Sequence, residues 1–110
     1  MDIIGKNVLI TGGASGIGRI MGRICLEKGA ANLIIWDLSQ ANIDMTEAEL
    51  GHVRPLVKGA RQGHMHSYIV NVSDNNVIKS VYGRVKREVG DVDILINCAG
   101  IVRGNNTFDK

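Results

Sequence analysis

Short apolar runs alternate along this chain with stretches of helical periodicity. Asn7-Val8-Leu9-Ile10-Thr11 reads as a first strand, and residues 16–28 as a helix carrying Ile20, Met21, Ile24 and Cys25. Gly29 stands where a C-terminal glycine cap belongs. Asn32-Leu33-Ile34-Ile35-Trp36-Asp37 is a second strand. Ser39 or Thr46 can cap a helix reaching Leu50, and the stretch from Gly51 to Pro55 breaks it. Residues 56–62 read as a short helix or a loop, and residues 66–72 as a third strand. Ser73 is the predicted N-cap of a further helix, with Asp74 in its first turn and a stripe of Val77, Val81, Val85 and Val89. Gly90 ends it. Residues 92–97 form a fourth strand, apolar enough for burial on both faces. The polar tail from Arg103 predicts no element, and no repeat or low-complexity tract is present. This is the α/β pattern of a parallel sheet, and right-handed crossovers place its strands in the order 3-2-1-4.

The turn between the first strand and the first helix carries the chemistry. It reads Thr11-Gly12-Gly13-Ala14-Ser15-Gly16-Ile17-Gly18. The first N–H groups of a helix have no internal partner and sit at its positive end, so such a turn accepts an anion. Gly12 makes the turn, Gly16 allows a diphosphate close to the backbone between Ser15 and Ile17, and Gly18 packs the helix closely. Asp37 closes the second strand nineteen residues after Gly18, near the spacing at which an acid holds the ribose hydroxyls of a dinucleotide. A strand-end acid without a ligand is the plainer reading of the same residue. No Gly-Lys-Ser/Thr follows the glycines, which excludes a P-loop.

Thr-Gly-x-x-x-Gly-x-Gly, at Thr11 to Gly18, and Asn97-Cys98-Ala99-Gly100 together resemble the short-chain dehydrogenase/reductase family, over residues 6–102. The resemblance implies the N-terminal portion of a Rossmann-type doubly wound sheet and a nicotinamide cofactor. It implies NAD rather than NADP, because Asp37 repels a 2′-phosphate while Leu38 and Ser15 stand where NADP-preferring members carry basic residues. Arg19 follows the motif in both classes of member. Asn71-Val72 resembles the family's Asp-Val step at the adenine edge, with Asn71 departing from the acid, and it reads equally as a polar strand end. Asn97 is expected to hold the turn and face the ribose, and Ala99 and Gly100 to let the cofactor lie against the strand end. Cys98 departs from the family's second Asn, and no His is placed to make it a nucleophile.

Two further patterns are read as structural. Tyr82-Gly83-Arg84-Val85-Lys86 has the Tyr-x-x-x-Lys spacing of the family's catalytic pair, but it precedes the Asn97 strand. Tyr82 is expected to pack against the sheet, away from the crevice, with Lys86 in solvent. His64-Met65-His66 could share a metal, but no acid or Cys completes a site, and none is assigned. Ile35-Trp36-Asp37 and Arg87-Glu88-Val89-Gly90-Asp91-Val92 are similar to the branch acting on retinol and steroid alcohols.

Composition bounds the rest. With 110 residues the chain holds at most one domain, and 45% hydrophobic with 22% charged residues suits a globular one. A net charge of +2 with scattered basic residues gives no case for nucleic acid. Cys25 and Cys98 read as buried free thiols. No apolar run of membrane-spanning length and no signal-peptide plan appears, so a cytoplasmic location without membrane association is expected. Family members are usually more than twice as long. The Ser-Tyr-Lys constellation, the substrate lid and the helices of homo-oligomer association are expected beyond Lys110. The resemblance thus implies an NAD(P)-dependent oxidoreductase of small alcohols or carbonyls, present here as a cofactor-binding part expected to be inactive alone. The alternative is a stand-alone or vestigial nucleotide-binding module.

Overall fold

The computed structural model describes residues 2–98. Four strands, β1 (Asn7–Thr11), β2 (Asn32–Asp37), β3 (His64–Ile69) and β4 (Ile94–Asn97), form one parallel sheet in the order β3-β2-β1-β4. That is the order the crossovers predict. Helices α1 (Gly16–Glu27) and α2 (Gln40–Leu50) follow β1 and β2, and α3 (Asn75–Glu88) connects β3 to β4.

Successive strand residues face opposite ways, so each strand feeds two cores. Val8, Ile10, Leu33 and Ile35 pack with Cys25 and Leu26 of α1 and with Ile43 and Leu50 of α2. Leu9, Ile34, Trp36 and Tyr68 pack on the other face with Val81 and Val85 of α3. Val77 and Val89 complete the predicted stripe as half-buried neighbours. Because β1 and β2 are covered twice, their apolar runs are continuous, and the six largest fully buried side chains are Ile10, Leu26, Leu33, Ile34, Ile35 and Leu50.

The helix ends follow local chemistry. Gly29 adopts φ 93°, open to glycine at little cost. The Ala30 N–H reaches the Cys25 carbonyl at 3.0 Å and the Gly29 N–H the Leu26 carbonyl at 3.1 Å, so the predicted cap closes α1 as a Schellman turn. Ser39 caps α2, its hydroxyl accepting from the Asn42 N–H at 3.1 Å. At α3 the expected cap is displaced by one residue. Asp74 is the N-cap, accepting from the N–H groups of Asn76 at 3.0 Å and Val77 at 3.3 Å. Asp74 directly precedes Asn75, the first helical residue, while the Ser73 hydroxyl turns back and donates to Asn71 Oδ1 at 2.6 Å.

Two strands also differ in their bounds from expectation, while residues 56–62 take the loop of the two readings. β3 is His64–Ile69 rather than residues 66–72, because its register follows the six residues of β2, from Asn32 opposite His64 to Asp37 opposite Ile69. β4 begins at Ile94 rather than residue 92, since Asp93 is spent on a corner. Its N–H donates to the Asn7 carbonyl, and its Oδ2 accepts from the Asn7 N–H, both at 2.9 Å. Among the described residues β4 is the sheet edge and is not covered on both faces, and Leu95 is 63% exposed. Residues 56–62 form turns with no helix, and Leu56 lies in solvent.

A polar row fixes the opposite end of the sheet. His66 Nε2 meets Asn32 Oδ1 at 2.8 Å, Asn32 Nδ2 donates to Asn7 Oδ1 at 2.8 Å, and Asn7 Nδ2 donates to the Asp91 carbonyl at 2.9 Å. Burial and the neighbouring charge of His64 hold the His66 pKa below its usual value, against the pull of Glu88.

Candidate functional site

The carboxyl ends of β1, β2 and β4 converge on the glycine turn. Gly12 takes φ 70° and donates its N–H to the Trp36 carbonyl at 2.7 Å, which locks the turn to the end of β2. A Cβ on Gly18 would stand 2.1 Å from the Gly12 oxygen and 2.7 Å from Gly13 Cα. Only glycine allows α1 to lie this close to the turn. A Cβ on Gly16 would meet nothing within 4 Å, so the space before the helix is open. Ser15 is the N-cap residue of α1, but its hydroxyl turns back to the Gly12 carbonyl at 2.8 Å and gives the helix no side-chain cap. Gly16 and Ile17, both exposed, thus present a helix N-terminus ready for an external acceptor.

Asp37 stands over this turn. Its Oδ2 accepts from the Ala14 N–H at 3.0 Å and its Oδ1 from the Ser39 N–H at 3.1 Å. A carboxylate offers about four lone-pair directions, so two remain for further donors. Leu38, the next residue, is 66% exposed and uncharged.

Sequence reasoning missed the group that buttresses the turn from behind. Arg19 donates from Nη2 to the Ala14 carbonyl at 3.0 Å, from Nε to Thr46 Oγ1 at 3.0 Å, and pairs through Nη1 with Glu49 at 3.3 Å. Thr46 is fully buried in α2 and donates its own proton to the Asn42 carbonyl at 2.8 Å. A threonine at an inward helix position, with an arginine just after the glycines, was the available signal. The pairing across 27 residues was not.

The remaining positions are placed as follows. Asn71 lies just past β3 and exposed, its Oδ1 accepting from the Ser73 N–H at 3.0 Å and the Ser73 hydroxyl. Val72 beside it is 39% exposed. Asn97 ends β4 opposite Thr11, and its Oδ1 accepts from the Thr11 hydroxyl at 2.7 Å, which ties the fourth strand to the first residue of the glycine stretch. Ala99 and Gly100 lie outside the described residues. Cys98 is buried, donates its N–H to the Thr11 carbonyl, and has its thiol pKa pushed up by burial, the reverse of an activated nucleophile.

A groove of about 410 Å³ opens on the α3 side of this edge, between Thr11, Trp36, Val72, Tyr82, Leu95 and Asn97. Tyr82 therefore departs from its expected role. It is 44% exposed on the groove wall rather than packed against the sheet, because Val81 and Val85 take the inward positions of α3. Lys86 is exposed as expected and pairs with Asp91 at 3.4 Å.

A parallel 3-2-1-4 sheet, a glycine turn opening its first helix and an acid closing its second strand define the N-terminal part of a Rossmann-type doubly wound α/β fold. Within that class, the chain belongs to the short chain dehydrogenase family, whose model matches residues 6–110. It is 38% identical over 108 residues to epidermal retinol dehydrogenase 2 of Mus musculus, covering 98% of this chain and 32% of that protein. Among solved structures, its fold is similar to a short-chain type dehydrogenase/reductase from Mycobacterium ulcerans, with TM-score 0.75 and 19% identity over 89% of this chain and 34% of that one. It is also similar to an NAD+-bound xylitol dehydrogenase, with TM-score 0.72 and 23% identity over 86% of this chain and 33% of that one. The chain spans about a third of the length of these proteins.

Proposed function

We propose that this chain forms the NAD-holding part of a short-chain dehydrogenase that moves hydride between the nicotinamide and a small alcohol or carbonyl. The observation that carries the reading is the uncapped start of α1, with open space at Gly16 and the Asp37 carboxylate fixed over the same turn. The residues present fit the cofactor. Gly12, Ser15, Gly16, Ile17 and Gly18 form the cradle for its diphosphate, and Asp37 accepts from the adenosine ribose. Asn71 and Val72 border the adenine, while Asn97 forms the strand end beside which the second ribose lies, and the family resemblance adds Ala99 and Gly100 to the cofactor-binding residues. NAD is favoured over NADP because a 2′-phosphate would meet the Asp37 charge, Leu38 offers no cation, and the Arg19 guanidinium is already engaged. When bound, the nicotinamide supplies the hydride chemistry. This chain's own part is to bind and orient it, and hydride transfer is proposed for the whole protein. The retinol dehydrogenase relative supports an apolar alcohol as the substrate class.

Trp36 adjoins Asp37 and is the chain's one tryptophan, so its emission reports on the pocket. Saturable quenching by NADH, with NADPH far weaker, is the expected result. Equal responses to both would refute selection by Asp37, and no response from a folded sample would refute binding.

A further inference from the structure

Ala14, at the middle of the glycine turn, is fully buried and gripped at both of its polar backbone atoms. Asp37 Oδ2 holds its N–H, and Arg19 Nη2 holds its carbonyl, each at 3.0 Å. The two grips are not independent. The other Asp37 oxygen takes the N–H of Ser39, the residue that caps α2. Arg19 Nε binds Thr46, about two turns further along the same helix. The contacts therefore close a ring that runs from the turn to Asp37, through α2 from Ser39 to Thr46, and back through Arg19 to the turn. A guanidinium suits this task, since its planar fork reaches two acceptors in fixed directions and stays charged.

We propose that Arg19 is a positioning residue for dinucleotide selectivity: together with Thr46 it fixes Ala14, and through Ala14 the Asp37 carboxylate. This rests on the dinucleotide reading above and assigns Arg19 a role opposite to that of a phosphate-binding cation. With a side chain 21% exposed and three partners, the guanidinium is held away from a 2′-phosphate by the geometry that presents Asp37 to the ribose hydroxyls. Breaking the ring has two effects. It loosens the carboxylate that NAD needs, and it leaves the buried Ala14 carbonyl without its charged donor. Thr46 directs Arg19 as its acceptor and its hydroxyl also lies 3.4 Å from the Ala14 carbonyl, so removing that hydroxyl loosens the same grip with the cation still present.

The test compares the parent protein with Arg19→Lys, Arg19→Met and Thr46→Val, titrating NADH and NADPH against Trp36 emission and following exchange of the Ala14 amide proton by NMR. Expected are a Kd for NADH raised about tenfold in Arg19→Met, the scale of one lost charge-assisted hydrogen bond, and a Kd for NADPH changed far less. Faster exchange at Ala14 should accompany the change. Arg19→Lys should recover part of the selectivity, since an ammonium reaches one of the two acceptors. Thr46→Val should narrow the NADH to NADPH ratio as well, and it tests the ring should Arg19→Met fail to fold. Simple destabilisation would weaken both dinucleotides alike. An unchanged ratio in all three variants, with the parent binding NADH, overturns the role of Arg19 and leaves the dinucleotide reading standing. Failure of the parent to bind either dinucleotide overturns both.

Discussion

Two glycines two residues apart should respond to the same substitution with opposed changes in stability. Gly16→Ala places a methyl group where nothing lies within 4 Å, at the first residue of α1. The empty protein loses no contact and gains helix propensity, worth up to about 1 kcal/mol in a helix interior and less at a first turn. Gly18→Ala places the same methyl 2.1 Å from the Gly12 oxygen and 2.8 Å from the Gly12 carbonyl carbon, both backbone atoms that no rotamer change can move aside. Relief requires α1 to shift away from β1. Overpacking of this kind costs about 1–3 kcal/mol. The assay is urea denaturation followed by Trp36 emission, paired with NADH titration of each variant. Gly16→Ala should unfold at the parent's urea concentration or slightly above it, yet lose NADH affinity at least tenfold, because its methyl occupies the approach of the diphosphate. Gly18→Ala should lose both stability and affinity. Parent-like NADH binding by Gly16→Ala would refute the assignment of this turn to a diphosphate, and parent-like stability of Gly18→Ala would refute the contact between helix and turn.

Other consequences can be checked separately. Asp74→Ala should destabilise the protein by about 1 kcal/mol in denaturant unfolding, the usual cost of an N-cap, while Ser73→Ala costs less than half of that. The Tyr68 phenol, buried and donating to Glu88 Oε1 at 2.7 Å, should ionise at about 12 when followed by phenolate absorbance, rather than at 10.0. Its folded pKa is raised, so its stabilising contribution is complete below pH 10.0 and is lost as the pH rises toward 12, which a pH series of unfolding measurements will show. Leu95→Lys should suppress aggregation measured by light scattering without lowering stability, because Leu95 is 63% exposed on an edge strand.

The sheet order and the first half of the chain were legible because apolar runs and glycine punctuation coincide there. β1 and β2 fall where their continuous hydrophobic stretches put them, and Gly29 ends α1 as a cap glycine must. β3 was misplaced by two residues at its start because His64 and His66 mask a strand whose limits are set by pairing with β2, which local composition does not record. At α3 two capping residues adjoin, and Asp74 is the one that directly precedes the first helical residue, while the Ser73 hydroxyl turns back to Asn71. In the site, the glycines and Asp37 follow from a spacing rule. The Arg19 and Thr46 grip depends on where α2 comes to rest, and no spacing encodes that.

The position of β1 between β2 and β4 bears on how the molecule acquires its shape. Asn7 meets Asn32 across 25 residues but Asp93 across 86. Closing the longer loop costs about 1 kcal/mol more entropy than closing the shorter one, by the logarithmic dependence on loop length. Pairing of β1 with β2 therefore comes first and β4 arrives last. On a ribosome adding about 5–20 residues per second, the wait between the emergence of β2 and that of β4 is on the order of 3–12 seconds. Through that interval the nascent chain carries Leu9, later almost fully buried, on an open strand edge. Those seconds are thus when the open edge of β1 is free to pair with another chain.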